Sequence, residues 1–275
     1  MSVSVILPAH NEAEWIGGCL DALLASDHPQ AQVIVVANGC TDDTADLARA
    51  RIDAAATKGW ELSVIDTATG GKLSALNIGD AAATGAIRVY LDADVVISSA
   101  LLGQIADALN GSEPRYATGT PRVVRAQTAV TRAYARLWVT LPFVTRDAPG
   151  FGLFAVNEAG RKRWGDWPDI ISDDTFARLQ FAPAERLRLP AAYDWPMVEG
   201  FANLVRVRRR QNAGVAEFAR RYPELLANDA TPGVGAIGAL RRLLCDPLGF
   251  ATYAAVTLAV KTPLFTSRNR WVRGR

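Results

Sequence analysis

Two aspartates, Asp92 and Asp94, stand one residue apart at the end of an apolar run over residues 87–91. This run is rich in Val, Ile and Tyr and predicts a buried strand that ends at the two aspartates, after which the apolar run resumes at 95–97. Carboxylates near a core are costly unless something pairs with them. The pair therefore indicates either a polar turn or a cation site, and oxygen ligands of this kind suit Mg²⁺ or Mn²⁺ beside phosphate.

Polar residues also follow two other predicted strands. A strand over residues 3–7, stopped by Pro8, precedes Asn11 and Glu12, and a strand over 32–37 precedes Asn38. A further strand is predicted at 62–65, and apolar patterns of helical period separate the strands. Such alternation predicts βαβ units and a parallel sheet, which binds ligands at the carboxyl ends of its strands. We therefore expect these side chains to meet the two aspartates at one edge.

Composition is that of a globular protein, with 275 residues, 49% hydrophobic and 21% charged. This length suits one large α/β domain or two small ones. The net charge of +2 argues against nucleic-acid binding by the whole surface. Three widely spaced cysteines show no zinc pattern and fit reduced thiols, and the N-terminus enters a strand without a leader pattern. A cytoplasmic protein is expected.

Four segments in chain order carry a family resemblance: Pro-Ala-His-Asn-Glu at 8–12, Asn-Gly-Cys-Thr-Asp-Asp-Thr at 38–44, Gly-Lys with Ala-Leu-Asn at 71–77, and Leu-Asp-Ala-Asp at 91–94. Together they resemble the nucleotide-sugar half of a family 2 glycosyltransferase of GT-A fold, over roughly residues 3–215. The resemblance implies a mostly parallel central sheet flanked by helices. It also implies transfer, with inversion, of a sugar from a nucleoside diphosphate sugar to an acceptor hydroxyl, in polysaccharide or glycolipid synthesis.

The same resemblance implies the donor-side roles. Pro8, Asn11 and Glu12 would line the nucleoside pocket, and Glu12 would accept hydrogen bonds from base or ribose. Asn38 stands where the family often has an acidic residue, so UDP- and GDP-type donors both stay open. Lys72 would reach the base or a phosphate, unless it is a solvated lysine at a helix start.

The acidic pair then divides into two roles. Asp92 would contact ribose or the water shell of the metal, and Asp94 would ligate Mn²⁺ or Mg²⁺. The cation would neutralise the departing diphosphate.

The acceptor-side candidates are Asp173 and Asp174, which match an acidic pair that the family has before a short helix. An acceptor hydroxyl gains from a positioned general base, and the resemblance favours Asp174, with Asp173 orienting it or binding acceptor. The alternative is a helix start capped by Ser172, with two acids that compensate the dipole. A glycine-marked segment at 149–156 resembles the acceptor-side strand of the family; a simple bulge is the alternative.

Two basic regions follow. Arg209 belongs to a cluster over 206–210, where some family members have a Gln/Arg-rich motif near the diphosphate. The tryptophan of that motif is absent, and a solvated or membrane-facing basic face is the alternative. Residues 248–260 carry no charge but fall short of the roughly 20 residues that span a bilayer. They predict either an interfacial helix at the cytoplasmic face of the inner membrane or a helix packed on the domain. Membrane contact would favour a lipid-linked over a carbohydrate acceptor.

The predicted organisation is a glycosyltransferase domain at 1–215, with a donor half at 1–98 and an acceptor half at 99–215, and a helical extension at 216–275. Two rival functions remain. A sugar nucleotidyltransferase would carry a Gly-rich loop with a basic residue where this chain has 8–12. A non-catalytic nucleotide- or carbohydrate-binding module would keep the fold without turnover.

Overall fold

A central sheet organises the computed structural model, which describes residues 2–263 and 265. Its strands are β1 (Val3–Ala9), β2 (Gln32–Asn38), β3 (Glu61–Thr67), β4 (Ile87–Leu91), β5 (Val96–Ile97), β6 (Tyr116–Val123), β7 (Leu153–Asn157) and β8 (Arg186–Trp195). They lie in the order β3-β2-β1-β4-β7-β6-β8-β5. β3, β2, β1 and β4 are parallel neighbours. β7 is antiparallel to β4 and β6, and β5 is antiparallel to β8. The predicted α/β fold is confirmed, and its parallel strands form the N-terminal part of a mixed sheet.

Helices separate and follow these strands along the chain. They are α1 (Ile16–Leu24), α2 (Thr44–Arg49), α3 (Ile52–Thr57), α4 (Lys72–Ala82), α5 (Leu101–Ala108), α6 (Ala129–Trp138), α7 (Pro142–Thr145), α8 (Glu158–Arg161), α9 (Asp173–Leu179), α10 (Phe201–Arg221), α11 (Gly235–Cys245) and α12 (Pro247–Val260). Short 3-10 turns occupy Pro183–Glu185 and Pro223–Asn228. The early helices bury one apolar face, as Ile16, Leu20 and Leu23 of α1 show. Residues 33–37 of β2 are completely buried because helices cover both faces of a parallel sheet.

One strand prediction was wrong in extent. β1 continues through Pro8 to Ala9, since its pairing with β4 ends at Ile6 and Pro8 has a strand neighbour on one side only. Proline is tolerated in that edge-like setting. The two aspartates follow the end of β4, as expected: residues 92–95 turn, the Val95 N–H donates to the Asp92 carbonyl at 3.1 Å, and β5 begins at Val96.

The chain divides into two compact units. The sheet unit comprises residues 2–122, 150–169 and 180–195, and the helical unit comprises 123–149, 170–179, 196–263 and 265. The domain boundary expected at 215 falls inside α10, a continuous helix of 21 residues. The chain therefore leaves and re-enters the sheet unit more than once.

Helix α12, the apolar segment of the C-terminal region, packs within the helical unit. Gly249, Val256 and Ala259 are buried, and Tyr253 stacks on Tyr134 of α6 with ring centroids 5.3 Å apart. No helix within the described part of the chain is long and apolar enough to cross a membrane. The arginines expected to form a basic tail, from Arg268 to Arg275, lie outside the described residues.

Candidate functional site

Asn38 joins three backbone segments at the carboxyl edge of the parallel strands. Its side chain belongs to a residue only 2% exposed. Nδ2 donates to the carbonyls of Ala9 at 2.7 Å and Val36 at 3.3 Å, and Oδ1 accepts from the Gly71 N–H at 2.9 Å. Asn38 therefore holds the end of β1 and the start of α4 against β2. These bonds commit the amide to backbone partners. The expected contact of Asn38 with a base stays a prediction.

The loop after β1 is tied to the loop after β2. Asn11 has a left-handed backbone with φ of 52°, a conformation that asparagine adopts more readily than most residues. Its Oδ1 accepts from the Thr41 N–H at 2.6 Å, and the Glu12 N–H donates to Thr44 Oγ1 at 2.6 Å. Two of the three expected nucleoside-side residues, Asn11 and Glu12, thus lie in a loop whose backbone is fixed from the neighbouring strand end, and the third, Pro8, lies in β1.

Asp42 completes this connection. Its Oδ1 accepts from the Thr44 N–H at 3.1 Å, and its Oδ2 accepts from the Ala13 N–H at 3.2 Å. Burial opposes ionisation, but hydrogen bonds from the Thr44 hydroxyl and from these backbone groups outweigh it and lower the pKa of Asp42. An ionised Asp42 therefore fastens the two loops at neutral pH.

Lys72 and Asp92 meet at the same edge. Lys72 Nζ lies 3.0 Å from Asp92 Oδ1, and the two side chains are 28% and 36% exposed. The Asp92 N–H donates to the Gly152 carbonyl at 2.9 Å, and the Cys19 thiol donates to the Asp92 carbonyl at 3.7 Å. Burial, followed by the charges of Asp92 and Glu12, raises the pKa of Cys19, which therefore stays a thiol. Such a partly exposed ion pair contributes little to stability and can be exchanged for another anion.

Asp92 and Asp94 are the side chains that were expected to hold Mg²⁺ or Mn²⁺. Asp94 is partly exposed, and its Oδ1 is shielded from solvent. No group of three or more His, Cys, Asp or Glu side chains poised to hold a metal occurs within residues 2–263 and 265. Mg²⁺ is commonly held by one or two protein carboxylates together with substrate phosphates. Asp92 and Asp94 supply that number of carboxylates, and their binding of a cation stays a prediction.

The glycine-marked segment makes close approaches in the sheet unit. Gly150 and Gly152 have φ of 71° and 75°, the left-handed region. A Cβ at Gly150 would lie 1.8 Å from the Tyr116 hydroxyl, and one at Gly152 would lie 2.8 Å from Trp195 Cδ1. The glycines are therefore required by the packing of this segment against its neighbours.

Sequence reasoning missed the cluster around Asp80 on α4. Its carboxylate accepts from the Tyr90 hydroxyl at 2.8 Å and Trp167 Nε1 at 2.7 Å, and pairs with Arg161 at 3.0 Å. Burial, followed by the charge of Asp80, raises the pKa of Tyr90. The available signal was Tyr90, whose hydroxyl stands in a mostly apolar run and needs a partner when buried. The cluster fixes the helix that begins with Lys72.

In the helical unit, Asp173 and Asp174 are the first two residues of α9. Asp173 is 6% exposed, whereas Asp174 is half-buried, and Asp174 Oδ1 accepts from the Thr175 N–H at 2.7 Å. Both carboxylates compensate the helix dipole, as the structural alternative expected. A Cβ on Gly214 of α10 would lie 2.3 Å from Ser172 Oγ, so this glycine allows α10 to approach the segment just before the pair.

Arg209 has a structural role within the same unit. Its guanidinium donates to the carbonyls of Ala259 at 3.2 Å, Val260 at 3.3 Å and Thr262 at 2.7 Å, at the end of α12. An arginine at a helix C-terminus satisfies carbonyls that lack helical partners and complements the dipole. The expected contact between Arg209 and a diphosphate stays a prediction, and these bonds give the side chain a different use.

The fold is that of an α/β protein with polar side chains at the carboxyl ends of its parallel strands. Residues 4–176 match the family model described as "Glycosyl transferase family 2", and the chain belongs to this family. Its fold is the GT-A fold, as the resemblance implied.

Curated relatives match only in part. Glycosyltransferase AglE of Haloferax volcanii is 38% identical over 94 residues, which are 34% of this chain and 30% of the relative. The poly-beta-1,6-N-acetyl-D-glucosamine synthase of Staphylococcus epidermidis is 28% identical over 123 residues, 44% of this chain and 29% of the relative. The chain thus spans about a third of the length of these relatives.

Solved structures share the fold over most of the chain. The mannosyltransferase PcManGT of Pyrobaculum calidifontis, in complex with GDP-Man and Mn²⁺, has a TM-score of 0.61 at 22% identity, covering 95% of this chain and 76% of that one. TarS of S. aureus, in complex with UDP-GlcNAc, has a TM-score of 0.53 at 16% identity, covering 95% and 92%. At this identity the likeness establishes the fold.

Proposed function

We propose that this enzyme transfers a sugar, with inversion, from a UDP- or GDP-type nucleotide sugar to an acceptor hydroxyl on a carbohydrate or lipid-linked glycan. The observation that carries the proposal is the ion pair of Lys72 with Asp92 at the carboxyl edge of the parallel strands. Asn38 fixes the backbone on which Lys72 stands. Neighbours solved with GDP-Man and Mn²⁺ and with UDP-GlcNAc support a nucleotide sugar and keep both donor types in the proposal.

On the donor side, the loop that carries Asn11 and Glu12 receives the nucleoside. A diphosphate competes with Asp92 for the Lys72 ammonium, because both are anions and the pair is partly exposed. Asp92 and Asp94 would hold Mn²⁺ or Mg²⁺, which supplies electrostatic stabilisation of the departing diphosphate when bound. Lys72 adds a fixed positive charge to the same leaving group.

On the acceptor side, Asp174 acts as general base. The acceptor oxygen bonds to the anomeric carbon as the bond from that carbon to the diphosphate oxygen breaks, and the hydroxyl proton passes to Asp174. The Thr175 N–H, which donates to Asp174 Oδ1 at 2.7 Å, orients the carboxylate. Attack on the face opposite the leaving group inverts the anomeric centre. The more buried Asp173 orients the start of α9.

Calorimetric titration of UDP- and GDP-sugars, with and without Mn²⁺, tests the donor side. We expect one donor class to bind with the cation, and Asp94→Asn to weaken that binding at least about tenfold through the loss of one charged ligand. The matched control is Asp107→Asn, which changes an exposed aspartate on α5. Equal affinities of wild type and Asp94→Asn in Mn²⁺ would contradict the metal assignment.

A further inference from the structure

Helix α11 presents an apolar stripe to solvent. Ile237, Leu240 and Leu244 are 87%, 56% and 73% exposed, and Arg241 is exposed as well. Counted from Ile237, Leu240, Arg241 and Leu244 stand at i+3, i+4 and i+7, so the four side chains lie on one face of the helix. No residue of α11 is buried. A helix with this pattern ordinarily turns its apolar face inward, so the outward face needs an explanation.

The opposite side of α11 is attached to the helical unit. Arg242 Nε donates to Thr140 Oγ1 at 2.9 Å, and the same guanidinium donates to the Thr140 carbonyl, just after α6. Arg242 stands five residues after Ile237 and therefore points away from the stripe. Leu248, the second residue of α12, is 64% exposed and continues the apolar surface past the helix end. The stripe is thus held outward by a specific anchor.

The surrounding sequence is strongly basic. Residues 230–275 contain seven lysines and arginines and one acid, whereas residues 1–229 contain 23 basic and 27 acidic residues. The single acid, Asp246, pairs with Arg136 at 3.1 Å. The exposed apolar stripe therefore belongs to the positively charged end of an otherwise slightly acidic chain.

These two properties together select one class of partner. A contiguous exposed apolar surface marks an interaction site. A second copy of the chain would bring two positive segments together, and nucleic acid would match the charge but leave the Ile and Leu side chains unsatisfied. An anionic bilayer surface satisfies both, because apolar side chains enter the headgroup boundary while arginine contacts lipid phosphates.

We propose that the stripe of Ile237, Leu240 and Leu244, with Arg241, docks this protein on an anionic membrane surface. The proposal is independent of the proposed donor and catalytic residues. The sequence had suggested residues 248–260 for this role, but α12 packs against the helical unit and α11 carries the exposed face.

Vesicle co-sedimentation of the full chain tests the proposal. The vesicles are phosphatidylcholine alone or with about one third phosphatidylglycerol, at low and at high salt. We expect binding to the anionic vesicles that salt weakens. Ile237→Ser combined with Leu244→Ser should reduce binding at least tenfold, through lost apolar burial. Arg241→Gln should reduce it about fivefold, the effect of one basic residue near such a surface.

The matched control is Val215→Ser on α10, which changes an apolar residue that is 55% exposed and lies outside the stripe. It should leave vesicle binding unchanged. Thermal unfolding of every variant should match wild type, because surface substitutions change stability little. Wild-type binding by the double variant, or equal binding to neutral and anionic vesicles, would overturn the proposal. The proposal would also be overturned if the wild type formed a dimer without binding vesicles and the double variant were a monomer.

Discussion

Replacing Asn38 by aspartate changes one atom and separates two accounts of this residue. In the structure, the amide nitrogen donates to the carbonyls of Ala9 and Val36 in a site that is 2% exposed. In Asn38→Asp, two carbonyls would lose their donor and face a buried carboxylate. A buried polar group left unsatisfied costs about 1–3 kcal/mol. We expect a loss of about 3 kcal/mol in unfolding free energy at pH 7, roughly a hundredfold in the unfolding equilibrium.

The loss should depend on pH in a defined direction. Burial beside carbonyls raises the folded-state pKa of the new carboxyl above its unfolded value of about 3.9. A carboxyl whose pKa is raised in the folded state destabilises the fold most at pH values above that folded-state pKa. The destabilisation disappears as the pH falls below the unfolded-state pKa. The difference between variant and wild type, measured by urea unfolding at each pH, should therefore shrink from pH 7 to pH 4.

Asn157→Asp is a matched control. Asn157 is 1% exposed, its Nδ2 donates to the carbonyls of Gly111 at 3.2 Å and Glu113 at 2.6 Å, and its Oδ1 accepts from the Arg115 N–H at 3.0 Å. Both variants should lose stability. We expect only Asn38→Asp to weaken nucleotide-sugar binding as well, at least tenfold, because it removes the donor that holds the Ala9 carbonyl just before the loop of Asn11 and Glu12. An Asn38→Asp protein of wild-type stability that binds uridine nucleotides more tightly would refute this reasoning and establish Asn38 as a base-reading residue.

Two further predictions concern stability. Gly39→Ala should lower the unfolding free energy by more than the roughly 1–2 kcal/mol of a left-handed alanine, because φ is +59° and the new Cβ would lie 2.9 Å from the Gly70 nitrogen. Gly59→Ala is the control, with φ of +78° and open space around the new Cβ. In the same urea assay it should show only the cost of the left-handed backbone. For Asp246, hydrogen bonds from Arg136 and then from the Gly249 N–H lower the pKa, so its contribution is present above the unfolded pKa and is lost as pH falls through the lower folded value. Asp246→Asn, which can still cap α12, should flatten the acid limb of the stability–pH curve, and an unchanged limb would refute the ion-pair account.

Much of the candidate site was predictable from local pattern. Asn11, Glu12 and Asp92 follow strands in a βαβ sequence and Asn38 ends one, and parallel strands bring their carboxyl ends to one edge. The bonding partners were not predictable. Asn38 is 29 residues from Ala9 and 33 from Gly71 along the chain, so its hydrogen bonds depend on strand register that no local pattern contains.

The C-terminal region shows the same limit. Four arginines in five residues identify a basic segment, but the phase of α10 directs Arg208 to the Tyr253 hydroxyl at 3.1 Å and Arg209 to the end of α12. Likewise, the uncharged sequence of residues 248–260 identifies α12 as a candidate for an interfacial helix. Packing buries one side of α12 and leaves Ile237 of α11 exposed, because tertiary partners decide which apolar face is covered.

The most direct test of the central claim is product analysis. The full chain is incubated with Mn²⁺, UDP- or GDP-sugars and a panel of glycoside and polyprenyl-linked acceptors, and nucleoside diphosphate and glycosylated product are quantified. We expect equal amounts of both, an inverted anomeric configuration by NMR, and at least about a hundredfold slower transfer by Asp174→Asn with donor affinity retained. Wild-type transfer by Asp174→Asn, a retained configuration, or pyrophosphate formed from a nucleoside triphosphate and a sugar phosphate would contradict it.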